Sequence, residues 1–176
     1  MIGLKSIRLL LGAALAFFSS GPAGAEEGTV EAYSSWQARG EILETGAREM
    51  TFVGSLSGVL FVKATDGSTD SGKIMCPGTV VVDTQDFSMS GSAKCVILTP
   101  DDERIYAEFT CSGVYGSGCN GVFTLKGGTG DKENISGGGP IQLMSEFADL
   151  TVVPGSIVEH GTVGLAVWPK LTYKTP

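Results

Sequence analysis

Imidazole is nearly absent from this 176-residue chain: His160 is its only histidine. Its four cysteines, Cys76, Cys95, Cys111 and Cys119, contain no C-x₂-C pair, and His160 lies 41 residues beyond the last of them. That spacing argues against a zinc site, and no metal or other cofactor is expected. No serine stands in a G-x-S-x-G elbow, so the sequence shows no local mark of a serine hydrolase. Basic residues are few as well, twelve Lys and Arg against nineteen Asp and Glu. An acidic chain lacks the basic surface that nucleic acids and anionic membranes require. Beyond residue 25 no apolar run is long enough to cross a bilayer as a helix.

What the chain has at its start is a short charged segment with Lys5 and Arg8, followed by an apolar run from Leu9 to Phe18. Ser19-Ser20-Gly21-Pro22 ends any helix there, and Ala23-Gly24-Ala25 offers small residues at the positions a signal peptidase reads. The expectation is a signal peptide over residues 1–25, cleaved before Glu26, with no transmembrane anchor left. An exported protein of the periplasm or the extracellular space follows. Removing residues 1–25 takes two of the twelve basic residues and none of the nineteen acidic ones, which leaves a formal charge of −9. Residues 26–176 are enough for a single domain with a core of its own.

In an oxidising compartment thiols pair, so two disulfides are expected. Residues that face one another across a hairpin have numbers averaging to the turn centre. Cys76 with Cys95 centres within Thr84-Gln85-Asp86, and Cys111 with Cys119 centres beside Tyr115-Gly116. Cys95 with Cys111 also centres on a turn, so three connectivities stay open, with 76–95 and 111–119 favoured.

Glycine is abundant, at 26 residues, and apolar residues alternate instead of recurring at helical spacing. From Met50 to Lys63 the even positions read Met, Phe, Gly, Leu, Gly, Leu, Val, one apolar or glycine face of a strand. Gly54 and Gly58 mark places where such a strand can bend or bulge. Further strands are expected near Val30–Ala38, Lys73–Asp83, Ala93–Thr99, Ile105–Cys111, Gly121–Lys126, Pro140–Met144, Leu150–Val153 and Ser156–Tyr173, the last bent or split. Asp66-Gly67, Pro100-Asp101-Asp102, Gly116-Ser117-Gly118 and Pro154-Gly155 supply turns. The result is an all-β antiparallel meander. A closed barrel is favoured over a β-sandwich because closure removes exposed edges.

Phe123-Thr124-Leu125-Lys126-Gly127-Gly128-Thr129-Gly130, followed by Gly137-Gly138-Gly139, resembles the strand–GGTG–turn–glycine signature of the allene oxide cyclase and dirigent protein group. The likeness covers roughly Gly121–Gly139 and implies an eight-stranded antiparallel barrel, often oligomeric, with an apolar cavity. Together with Cys111–Phe123 the segment looks like small secreted bacterial proteins of that barrel type. Where relatives place an aromatic residue two positions after the GGTG, Asp131-Lys132-Glu133-Asn134 is polar. No catalytic pocket of the group matches residue by residue, so its activities do not carry over.

Other motifs have plain explanations. Gly116 to Gly121 spells G-x-G-x-x-G, but between two cysteines in a hairpin it lacks the strand and helix of a dinucleotide site. Gly127-Gly128-Thr129-Gly130 has no Lys-Ser/Thr pair, and its glycines suit positive-φ turn positions. Glu159 precedes His160, yet strand neighbours point to opposite faces. Asp101-Asp102-Glu103 reads as a solvated turn, and Asn134-Ile135-Ser136 as a sequon without use in a bacterial protein. The functional prospect is the barrel interior. Phe52, Leu56, Leu60, Phe109, Phe123 and Trp168 are candidate walls of a cavity for a small apolar ligand, or else a filled core. A protein partner, a homo-oligomer, an isomerase or cyclase acting on a hydrophobic substrate, and a structural envelope role are the alternatives.

Overall fold

The computed structural model describes residues 26–150 and 158–175, with the side chains of residues 147–150 and 158–160 left aside. The expected signal peptide, the Pro154-Gly155 turn, residues 151–153 of the expected Leu150–Val153 strand, and the Glu159 and His160 side chains lie outside the described residues.

Eight strands run β1 (Glu27–Gly46), β2 (Glu49–Ala64), β3 (Thr69–Asp83), β4 (Ser88–Leu98), β5 (Arg104–Val114), β6 (Gly118–Gly128), β7 (Ser136–Leu150) and β8 (Val158–Lys174). Each pairs antiparallel with the next, and β8 pairs with β1, so the sheet closes into a barrel. The sandwich alternative is excluded. Leu150 is the last residue of β7, which extends the expected Pro140–Met144 strand in both directions.

β1 shows why the sequence makes this fold. Val30, Ala32, Ser34 and Ala38 are buried, while Glu31, Tyr33, Ser35, Gln37 and Arg39 are exposed. Alternate residues thus line the lumen, while the outer face mixes polar residues with exposed apolar ones such as Val53, Val59, Met75, Val122 and Val163. In β2 the even face turns inward as the alternation requires, with Phe52 and Leu60 buried and Leu56 half-buried. Gly54 and Gly58 are not bulges: the ladders to β1 and β3 run through both without a register shift. They are glycines because the space is taken. Gly40 of β1 faces Gly54, and a Cβ on Gly40 would lie 2.6 Å from Gly54 Cα and 2.7 Å from Phe52 Cε2. The Phe52 ring therefore covers a glycine pair, replacing the missing side chains as packing.

The register slips elsewhere. Between β1 and β8 it shifts after Val30↔Leu171 to Ala32↔Trp168, placing an extra residue at Pro169-Lys170. A proline without an N–H suits a bulge, and a bulge bends its strand. That bend is the one expected of the last strand, which is otherwise unbroken.

Both disulfides form in the favoured pairing, Cys76–Cys95 between β3 and β4 and Cys111–Cys119 between β5 and β6. All four cysteines are buried on the lumen side.

The two ends of the barrel differ. One end carries the β2–β3, β4–β5 and β6–β7 connections, and Glu26 and Thr175 meet there, the Thr175 N–H donating to the Glu26 carbonyl at 2.8 Å. The segment resembling the GGTG signature builds this end. Gly127 and Gly130 have φ of 115° and 57°, conformations that favour glycine, and a 3₁₀ turn over Gly130–Lys132 follows. Thr129 N–H donates to the Arg104 carbonyl at 2.9 Å, and Asp131 N–H to Glu103 Oε1 at 2.8 Å. Folding the chain back in this way buries Ile135, 7% exposed, as a plug. The polar run 131–134 is the surface of that turn, and the apolar anchor comes one residue after it.

Candidate functional site

Side-chain size along the inward positions divides the lumen. Toward the plugged end large inward residues predominate, Leu60, Ile74, Ile97, Leu125, Trp168 and Leu171, all buried, with Ala32 and Ala107 among them. Phe123, 1% exposed, meets Trp168 edge to face with ring centroids 5.3 Å apart. This half is a solid core. Toward the other end large inward residues are interspersed with small ones, including Ala38, Gly78, Gly91, Ala93 and Ser145. Small residues leave a hollow of about 110 Å³.

Its walls come from all eight strands, β6 contributing Gly118 and Cys119. Trp36 and Ile42 stand on β1, Phe52 and Leu56 on β2, Val80 on β3, Met89 on β4 and Phe109 on β5. Leu143 and Thr162 close the far side, and Tyr115 and Gly116 bring the β5–β6 turn to its mouth. That turn is fixed to the next one along the rim, Tyr115 N–H donating to the Phe87 carbonyl at 2.9 Å. The Cys111–Cys119 disulfide forms part of the wall. A smaller void of about 20 Å³ lies deeper, among Ser34, Trp36, Ile74, Phe109, Phe123 and Trp168.

The six residues expected to line a cavity all face the interior, but they separate by depth. Phe52, Leu56 and Phe109 border the larger hollow. Leu56, Phe109, Phe123 and Trp168 surround the small void, and Leu60 belongs to the filled core. Trp36, Ile42, Val80 and Met89 were not foreseen as walls. The period-2 pattern of β1 would have placed Trp36 and Ile42 on the inner face, in register with Ala32 and Ala38.

No charged side chain among the described residues lines the hollow. At its inward positions the polar side chains are the hydroxyls of Ser145, Thr162 and Tyr115 and the Trp36 indole. Burial pushes the Tyr115 phenol above its ordinary value, so it stays protonated at neutral pH. The indole nitrogens of Trp36 and Trp168 are buried with no hydrogen-bond partner among the described residues.

The remaining motifs sit in connections. Gly116 and Gly118 take φ of 84° and 119° in the β5–β6 hairpin, with a strand and no helix after them. Asp101 and Asp102 are exposed in the β4–β5 turn. Outside the barrel a shallow groove crosses β7, β8, β1 and β2, with Val59, Met144, Val163 and Leu165 among its walls.

No family model, curated protein or solved structure matches this chain.

Proposed function

We propose that this is an exported binding protein that holds one small apolar molecule in the hollow half of its barrel. The observation that carries the reading is the contrast within one lumen, solid toward the plugged end and hollow, at about 110 Å³, toward the other. A hollow of this size is costly unless something fills it, because its lining forfeits dispersion contacts. Apolar cavities of roughly 150 Å³ stay dry and take up benzene-sized molecules. The walls have no carboxylate, imidazole or ammonium among the described residues. That lining supports binding over acid–base chemistry, which needs a group titrating near the working pH. Export is supported by the amino-terminal segment and by two disulfides buried in the barrel.

Native mass spectrometry of protein purified from its own host, paired with titration of apolar probes followed by ¹H–¹⁵N NMR, tests this. A co-purified molecule of low mass, or probe-induced shifts confined to the residues around Phe52, Val80, Met89 and Phe109, is the expected result. No bound molecule and no shift with any benzene-sized probe would leave the barrel a structural protein.

A further inference from the structure

The chain has two tryptophans, and both point into the barrel with an indole N–H that is buried and unpaired among the described residues. Buried donors without partners are rare because each forfeits its hydrogen bond to water. Trp168, 2% exposed, borders the deep void, whose 20 Å³ is room for one water. Trp36 is different. It borders both the deep void and the larger hollow.

The position of Trp36 is built by its neighbours. It pairs with Gly58 on one side and Gly164 on the other. A Cβ on Gly164 would lie 2.8 Å from the Trp36 Cε2 atom, so the indole rests against a strand kept bare for it. A Cβ on Gly58 would stand 2.9 Å from Ser34 Oγ, one inward position along β1. Gly164 thus leaves room for a large donor-bearing ring against the barrel wall, while the bare position at Gly58 is taken up by Ser34 and the Ser35 backbone.

We infer that the cavity takes a small, mostly hydrocarbon molecule bearing one neutral hydrogen-bond acceptor, a carbonyl or ether oxygen, to which Trp36 Nε1–H donates. The inference rests on the reading of the hollow as a ligand site. A neutral acceptor fits because no cation lines the hollow, and a carboxylate there would be desolvated without a counter-charge. The Thr162 and Ser145 hydroxyls border the same hollow.

Cyclopentanone and methylenecyclopentane have nearly the same shape and differ in the acceptor, which makes them the probes. Each is titrated into the wild-type protein and the Trp36→Phe variant by ¹H–¹⁵N NMR. Cyclopentanone is expected to move the Trp36 Nε1–H resonance downfield, and methylenecyclopentane to leave it near its starting position. Trp36→Phe is expected to weaken the ketone by roughly three- to tenfold, the worth of one neutral hydrogen bond, and to leave the alkene within about twofold. Equal losses for both probes would make Trp36 a packing residue and overturn the inference, while the binding reading stands. A persistent water contact at Trp36 Nε1–H in the presence of saturating ketone overturns it as well. Failure of both probes to bind the wild type removes the ligand site itself. If the variant does not fold, the wild-type indole resonance decides alone, and its failure to move at saturating ketone overturns the inference.

Discussion

Cys111 and Cys119 are joined diagonally across the β5–β6 ladder, for Cys111 faces Gly121 and Cys119 faces Gly113. A Cβ on Gly121 would lie 2.7 Å from the Cys111 Cβ, and one on Gly113 would lie 2.6 Å from the Cys119 Cα. The two glycines leave clear the corners that a diagonal bridge crosses. Cys76 and Cys95, in contrast, stand at directly opposed positions, where the β3–β4 register on either side pairs Met75 with Val96 and Gly78 with Ala93.

The two disulfides should differ in what they contribute. Their sequence separations are 19 and 8 residues. On the chain-entropy account the longer loop contributes about 3 kcal/mol and the shorter about 2.5 kcal/mol. Cys76→Ala with Cys95→Ala should therefore lower the urea midpoint more than Cys111→Ala with Cys119→Ala. The reverse order would mean that the diagonal bridge does more than shorten a loop, for instance by holding the cavity wall.

Filling the hollow should abolish binding without unfolding the barrel. Gly91 faces inward on β4 and lines the cavity, and a Cβ there would sit 3.3 Å from Val80 Cγ2 and 3.7 Å from Cys111 Sγ. Gly91→Leu extends a side chain into the empty space, at a cost in stability of under about 2 kcal/mol. Titration of an apolar probe should show no saturable binding to this variant, with the circular dichroism spectrum unchanged. Undiminished binding would place the ligand elsewhere.

The glycines under Phe52 should not tolerate a methyl group. A Cβ on Gly54 would collide with the Arg39 carbonyl oxygen and stand 2.9 Å from Gly40 Cα, whereas a Cβ on Gly161 would meet nothing within 4 Å. Gly54→Ala should cost about 1–3 kcal/mol, and Gly161→Ala should be neutral or stabilise by up to about 1 kcal/mol. Chemical denaturation of the pair reads this directly, and similar values for both would sink the packing argument.

Acid should weaken the rims before the core. Glu27 is held below its ordinary value by the hydrogen bond and charge of Lys174, Asp66 by the Ser68 hydroxyl and backbone N–H, and Asp86 chiefly by the Ser88 backbone N–H. A depressed folded-state pKa contributes stability above the unfolded value and loses it as pH falls through the folded one. The Tm should hold from neutral pH to about pH 5 and decline below about pH 4. All three groups are at the surface, so the decline attributable to them is shallow. A Tm that rises between pH 5 and pH 3 would contradict the assignment.

The strands were legible because local alternation states which side of the sheet each residue occupies, and the turns because Asp66-Gly67 and Gly116-Ser117-Gly118 carry their own backbone chemistry. Those turns also favoured the pairing that forms, although Cys95 with Cys111 centres on a turn as well and only the structure decides between them. Closure was a different matter. The β1–β8 seam joins Glu27 to Lys174, and nothing near either residue announces the other. The same gap hid the cavity. Ala38, Gly78, Gly91 and Ala93 lie on three strands, and the ladder registers, which no local pattern states, bring them around one hollow. Ile135 went unrecognised as core because the polar turn before it masks its place in any periodic pattern.

Glu26 and Thr175 are hydrogen-bonded neighbours at the plugged end, and Lys174 Nζ reaches Glu27 Oε1 at 2.5 Å beside them. Chain appended at either position would hang from the end opposite the cavity mouth. The barrel could thus be tethered to a surface, fused to a reporter or circularly permuted through a short linker there, with its opening left facing free solution.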